Sequence, residues 1–169
     1  MRKIRAVLIV GSAIFLTACG IRDLAGIESS SPQPVDIEPV VLQELPITVM
    51  HKADYNIDDS QTSKAFKVLG SDIEYRTELG RYSVEVPKPI DFQTAQVIVS
   101  TMGSQVSGGY VVSALRADEF DEKVVVTVEL RAPGESCVTT QAISNPYEFS
   151  LVPSSKPIEF IETHAVTEC

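Results

Sequence analysis

The sequence predicts a mainly β domain with one short helix, either an antiparallel β-sandwich or a β-rich α+β fold. Three observations lead there. Apolar residues recur at every second position through the C-terminal half, where β-branched and aromatic residues dominate. Turn-forming residues interrupt these runs at steady intervals. A single segment carries a clear helix start signal.

That segment is Ser71-Asp72-Ile73-Glu74, a capping box in which the serine oxygen accepts a free backbone N–H and the glutamate reaches back. Ile73, Tyr75 and Leu79 would form the buried stripe, and Gly80 offers a left-handed stop, so the helix is expected over Asp72 to Leu79. Val97-Ile98-Val99 reads as a buried strand. Tyr110 to Arg116 and Lys123 to Arg131 read as a strand pair joined by the polar stretch Ala117 to Glu122. In the second of these Val124, Val126, Val128 and Leu130 point one way, as an antiparallel sheet with one buried face requires. After Asn145-Pro146, Tyr147, Phe149 and Leu151 alternate with Glu148 and Ser150. The last strand is expected over Ile158 to Thr163. Periodicity fixes neither the strand order nor the choice between a sandwich and an α+β fold.

Upstream of the domain the chain opens with Arg2, Lys3 and Arg5, then an apolar run from Ala6 to Leu16, then Leu16-Thr17-Ala18-Cys19. This is the order of a secretory signal peptide, and the run is too short to span a bilayer. The closing tetrad has the pattern of a lipobox. Residues 1–18 are therefore expected to be removed and Cys19 to carry fatty acyl chains such as palmitate, each worth about 0.8 kcal/mol per buried CH₂ in membrane attachment. Gly20, where an aspartate would favour retention at the inner membrane, points to an outer membrane lipoprotein of the cell envelope. Residues 19–46, with Ser29-Ser30-Ser31-Pro32-Gln33-Pro34 and Pro39, read as a flexible tether whose end near Val40 to Leu45 can already pack on the domain. Residues 47–169 suffice for one domain with a single core.

The chain holds 14 basic and 23 acidic residues. Removing the first eighteen, with three bases and no acid, leaves eleven bases against 23 acids and a net charge of −12. So acidic a surface excludes nucleic acid as a partner and excludes electrostatic docking on anionic lipid. With Cys19 acylated, Cys137 and Cys169 remain as an even pair in an oxidising compartment and are expected to form a disulfide.

Catalytic chemistry has little to work with. His51 and His164 are the only histidines, both are expected in strands, and no G-x-S-x-G elbow accompanies them. Asp54-Tyr55-Asn56-Ile57-Asp58 opens like a calcium loop, but Asp59 stands where the turn needs glycine and Ala65 where a bidentate glutamate belongs. No metal, cofactor or enzymatic activity is expected. The distinctive remaining segment is Gly103 to Tyr110. Its Ser107, Gly108, Gly109 and Tyr110 are the candidate binding residues, since a loop on a rigid sheet is a frequent recognition element and glycines admit close backbone approach. The plain alternative is a hairpin turn.

Taken together, Val86-Pro87-Lys88-Pro89-Ile90-Asp91-Phe92, the strand leading to Gly103, Ser107-Gly108-Gly109-Tyr110, the strand pair, Pro133, Gln141 and Asn145-Pro146-Tyr147 resemble a known pattern. Over residues 86–153 the chain is similar to the C-terminal domain of the PrcB family of protease-complex lipoproteins. The resemblance implies a non-catalytic protein that associates with a protease or another envelope protein and stabilises it. The chain departs from the pattern at Gln105-Val106, where a basic or proline-containing approach to the glycines would be expected, and residues 47–82 carry no shared motif. The resemblance thus supplies a class of partner and not its identity. The alternative is a structural envelope lipoprotein with no protease partner.

Overall fold

The computed structural model describes residues 40–58 and 63–169. The expected signal peptide, Cys19 and the expected tether up to residue 39 lie outside the described residues. Eight strands and one helix follow in the order β1 (Gln43–Leu45), β2 (Thr48–Ala53), β3 (Ala65–Leu69), α1 (Asp72–Tyr82), β4 (Gln96–Thr101), β5 (Val111–Glu119), β6 (Val124–Pro133), β7 (Tyr147–Val152) and β8 (Ile158–Thr167).

The strands form two four-stranded sheets, β1-β5-β6-β8 and β2-β7-β4-β3. Every pairing is antiparallel except β6 with β8, which run parallel because β7 leaves for the other sheet between them. The inward valines of β6, Val124, Val126 and Val128, meet Ile98 of β4 and Val152 of β7 in a core between the sheets. Phe66 of β3 and Phe160 of β8 stack at 5.6 Å along one side. The fold is therefore a sandwich, one of the two alternatives that periodicity leaves open.

A second core lies on the far face of the β2-β7-β4-β3 sheet. There α1 lays Tyr75, Leu79 and Tyr82 against Val97 and Val99 of β4 and Tyr147 and Phe149 of β7. Tyr82 stands 4.9 Å from Tyr147 and 5.4 Å from Phe149, ring centre to ring centre. This sheet is the middle of three layers, with the other sheet below it and the helix above. Both expectations of fold class meet here: a β-sandwich that carries one helix on its outside.

The middle position buries both faces of β7. Glu148 and Ser150, which alternate with Tyr147 and Phe149, are buried as well, because their face looks into the intersheet core. Burial of a carboxylate demands partners. Glu148 accepts the Ala114 backbone N–H at 2.9 Å, the Lys52 ammonium at 2.9 Å and the Ser150 hydroxyl at 2.9 Å. The Ala114 amide needs this acceptor for two reasons. β5 bulges between Ala114 and Arg116, and β1 pairs only with residues 117–119, so among the described residues the preceding half of β5 has no strand along that edge. Lys52 also donates to Ser113 at 2.7 Å, which ties both sheets to one carboxylate.

Other elements differ in extent. The helix begins as expected, with Ser71 accepting from the Glu74 amide at 3.4 Å, while the Glu74 carboxylate takes the Gly70 amide. It does not stop at Gly80. Tyr82 packs on the β7 aromatics and holds one further turn, and Ser83 caps the end by donating its N–H to Leu79. Ile73 is 72% exposed, because the buried stripe runs through Tyr75, Glu78, Leu79 and Tyr82 and Ile73 lies off it. β5 continues to Glu119 through residues expected in the connecting stretch, β8 continues to Thr167, and the chain already joins a sheet at Gln43.

Glu148→Ala should cost about 2–4 kcal/mol in urea unfolding, since it orphans a buried amide and opens a cavity, while Glu148→Gln should cost less. Equal losses for both would show that the charge and not the hydrogen bonding matters. Burial drives the phenols of the helix-side core upward: Tyr75 and Tyr147 lie above their ordinary range, and Tyr82 is pushed to about 12, first by burial and then by the Glu78 charge. A folded pKa above the unfolded value means that this contribution to stability is complete below about pH 10 and is lost as pH rises toward 12. Phenolate absorbance should therefore appear together with unfolding in that window. In Tyr82→Phe the alkaline loss of stability should be smaller.

Candidate binding site at the glycine-loop end

One end of the sandwich is closed by two connections, residues 102–110 between β4 and β5 and residues 134–146 between β6 and β7. They are zipped together by main-chain bonds. Gln105 and Ser144 exchange two backbone hydrogen bonds at 2.8 and 3.1 Å, and the Gly108 amide donates to Thr140 at 3.2 Å. The Ser144 hydroxyl reaches the Ser107 carbonyl at 2.6 Å. At the root the Met102 amide and the Thr101 hydroxyl both donate to the Pro146 carbonyl.

Two glycines make this approach possible. Gly109 has φ +89°, a conformation that side chains with a Cβ rarely adopt, and a Cβ there would stand 3.2 Å from Pro133 and Thr139. A Cβ on Gly108 would collide with the Thr140 hydroxyl. Of the four sequence candidates, Gly108 is buried, Ser107 and Tyr110 are half-buried, and Gly109 is exposed. The geometry brings all four to one end, with Gly108 and Gly109 shaping the junction between the loops.

What the junction presents outward are aliphatic side chains that sequence reasoning passed over. Val106 is 83% exposed, Ile143 is 67% exposed, and Val138 is fully exposed. Val106 and Ile143 flank the Gln105–Ser144 bridge on adjacent strands of the junction. Glu135 is the only charged side chain in the two connections. A valine inside a polar glycine-rich loop was the available signal. It gains meaning only when the second loop supplies its neighbours.

Cys137 of the second loop is bonded to Cys169, with 5.0 Å between their Cα atoms. The loop is clipped to the end of β8 by this bond and by the Gly134 amide donating to Thr167 at 3.0 Å.

The two histidines are far apart in function. His164 is exposed and pairs with Glu162 at 2.8 Å. His51 is buried in β2, where it bonds the Glu85 carboxylate through Nδ1 and the Tyr75 hydroxyl through Nε2 at 2.7 Å. The Lys88 backbone also bonds that hydroxyl, and Lys88 donates its ammonium to the Met50 carbonyl. These contacts fasten residues 83–90 along the middle sheet. Open depressions of about 470 Å³ beside β3 and α1 and about 420 Å³ beside Phe120 and Lys123 do not include His51. In the Asp54–Asp58 turn the Asp54 carbonyl takes the Asn145 amide and the Asp58 amide donates to Arg81, so its backbone braces neighbouring segments. Among the described residues no three His, Cys, Asp or Glu side chains gather to hold a metal.

Gly109→Ala should cost about 1–3 kcal/mol in urea unfolding, the range for a strained backbone. Gly80→Ala, in a helix with open space around the added methyl, should instead stabilise by about 0.5–1 kcal/mol. Tolerance of alanine at position 109 would remove the close approach from this description.

Neither the curated proteins nor the solved structures yield a match to the chain. A family described as PrcB C-terminal matches residues 96–151, about a third of the chain. The matched segment runs from β4 into β7 and contains both zipped connections with Val106, Val138 and Ile143. Over that segment the chain is similar to the PrcB C-terminal family.

Proposed function

We propose that this protein is a non-catalytic lipoprotein of the cell envelope, anchored in the outer membrane through Cys19, that binds a protease or another envelope protein with the glycine-loop end of its sandwich. The observation that carries the reading is the exposure of Val106, Ile143 and Val138 on two interlocked loops that hold a single charged side chain, Glu135. Exposed aliphatic side chains on connections between packed strands are frequent recognition elements. Similarity of the matched segment to the PrcB C-terminal family supports a protease complex as the setting.

The direction of the domain favours this use. The chain enters at residue 40 beside the far end of β5, where the Leu42 amide donates to Glu119. The glycine loop adjoins the near end of β5 at Val111. At about 3.3 Å per residue the strand separates the two by about 25 Å. Among the described residues no helix is long and apolar enough to cross a membrane, and attachment in this reading rests on the acylated cysteine.

Crosslinked capture from intact cells tests the reading. The wild-type protein should recover a protease or another envelope protein, and Val106→Arg or Ile143→Arg should lower that recovery by about tenfold or more while leaving the circular dichroism unchanged. Cys19→Ser should release the protein from the membrane fraction. Repeated recovery of no protein would overturn the proposal. Deletion causing general envelope defects with unchanged proteolysis would favour a structural lipoprotein without a protease partner.

A further inference from the structure

We infer that oxidation of Cys137 and Cys169 assembles the glycine-loop end, so that the reduced chain is a folded sandwich lacking a finished binding surface. This inference rests on the reading of that end as the binding site and concerns its regulation.

Among the described residues few other contacts hold the second loop. From Gly134 to Ile143 not one residue is buried, so no apolar contact with either core fixes its course. Segments with few buried contacts and solvent-exposed backbone bonds have low local stability. Between those positions the loop is attached by the Gly134 amide to Thr167, by Gly108 to the Thr140 carbonyl, and by the disulfide. The Cys137 disulfide sulfur also lies 3.4 Å from the Thr167 carbonyl, at the end of β8.

The first loop in turn depends on the second. Gly108 is satisfied by Thr140, Gly109 packs on Thr139, and Gln105 and Ser107 are bonded by Ser144. Releasing Cys137 therefore loosens Val138 directly and Val106 through these contacts. The sheets do not share this dependence. Cys137 lies in a loop, Cys169 lies past the last residue of β8, and neither belongs to either core.

Chemically, the two thiols join as one S–S bond and give up two protons and two electrons, which reduce the disulfide of an exchange partner to two thiols. A protein exported in the dithiol state would acquire its binding end only after reaching an oxidising compartment. Premature association before export is thereby avoided.

Nuclear magnetic resonance of the soluble domain, residues 40–169, with its disulfide intact and after reduction by dithiothreitol, tests the assembly. Reduction should move the amide resonances of Gly108, Val138 and Thr140 toward random-coil positions and lower their order, while the resonances of β4 and β6 keep their dispersion. Cys169→Ser without reductant should reproduce the reduced spectrum. Unmoved Gly108 and Thr140 resonances would show a self-supporting end and overturn the inference. Collapse of the whole spectrum in both reduced and variant proteins would overturn it too, because the bond would then hold the sandwich and not the loop. In crosslinked capture, Cys169→Ser should lose partner recovery by about as much as Val106→Arg does. Loss with Val106→Arg but retention with Cys169→Ser defeats the redox inference alone. Retention with Val106→Arg defeats the surface reading itself.

Discussion

The central strands of the middle sheet, β4 and β7, are buried on both faces, and most of the molecule's unusual features follow from that constraint. A strand with one wet face can carry a polar residue at every second position without cost. β7 cannot, because Tyr147 and Phe149 meet the helix while Glu148 and Ser150 meet the other sheet. A carboxylate in such a place persists only with a full set of donors. Glu148 finds them where the second sheet is interrupted, at the β5 bulge beyond the end of β1. The defect in one sheet and the charge in the other satisfy each other, and Lys52 completes the set from a half-exposed position.

The same three-layer arrangement explains why the ends of the sandwich differ. At one end the short β1 and the turn at Phe120 leave room for the chain to enter. At the other, two long connections must cover the ends of four strands, and glycines let their backbones meet. Close main-chain contact leaves few places for side chains to turn inward, so Val106, Val138 and Ile143 face water. Exposure of these valines and the isoleucine is therefore a consequence of how the loops are joined, and that consequence makes a presentable surface. The loops gain their definition from hydrogen bonds and one covalent bond, whereas the sheets gain theirs from apolar burial. Two parts of one domain thus answer to different conditions.

Much of this was legible in the residues themselves. The alternation of Val124, Val126, Val128 and Leu130 specified a strand and its inward face, and Ser71 with Glu74 specified where the helix begins. Ser107-Gly108-Gly109-Tyr110 marked the family segment and the place where backbones approach. Local patterns carry these because each is a property of neighbours along the chain. The short strand β3, Ala65 to Leu69, had no such pattern, being too brief to display a period.

Tertiary structure alone decided the rest. Gly80 is a stop signal by itself, and the helix passes it because Tyr82 finds Tyr147 and Phe149 some sixty-five residues later. Glu148 looks like a surface residue until a second layer covers it. Val106 looks like a turn residue until Ile143 arrives beside it. The sequence determined the β-rich class, the helix start and the inner face of β6, since periodicity records one buried side. Which residues meet a second neighbour depends on chain segments distant in sequence, and no local period can record that.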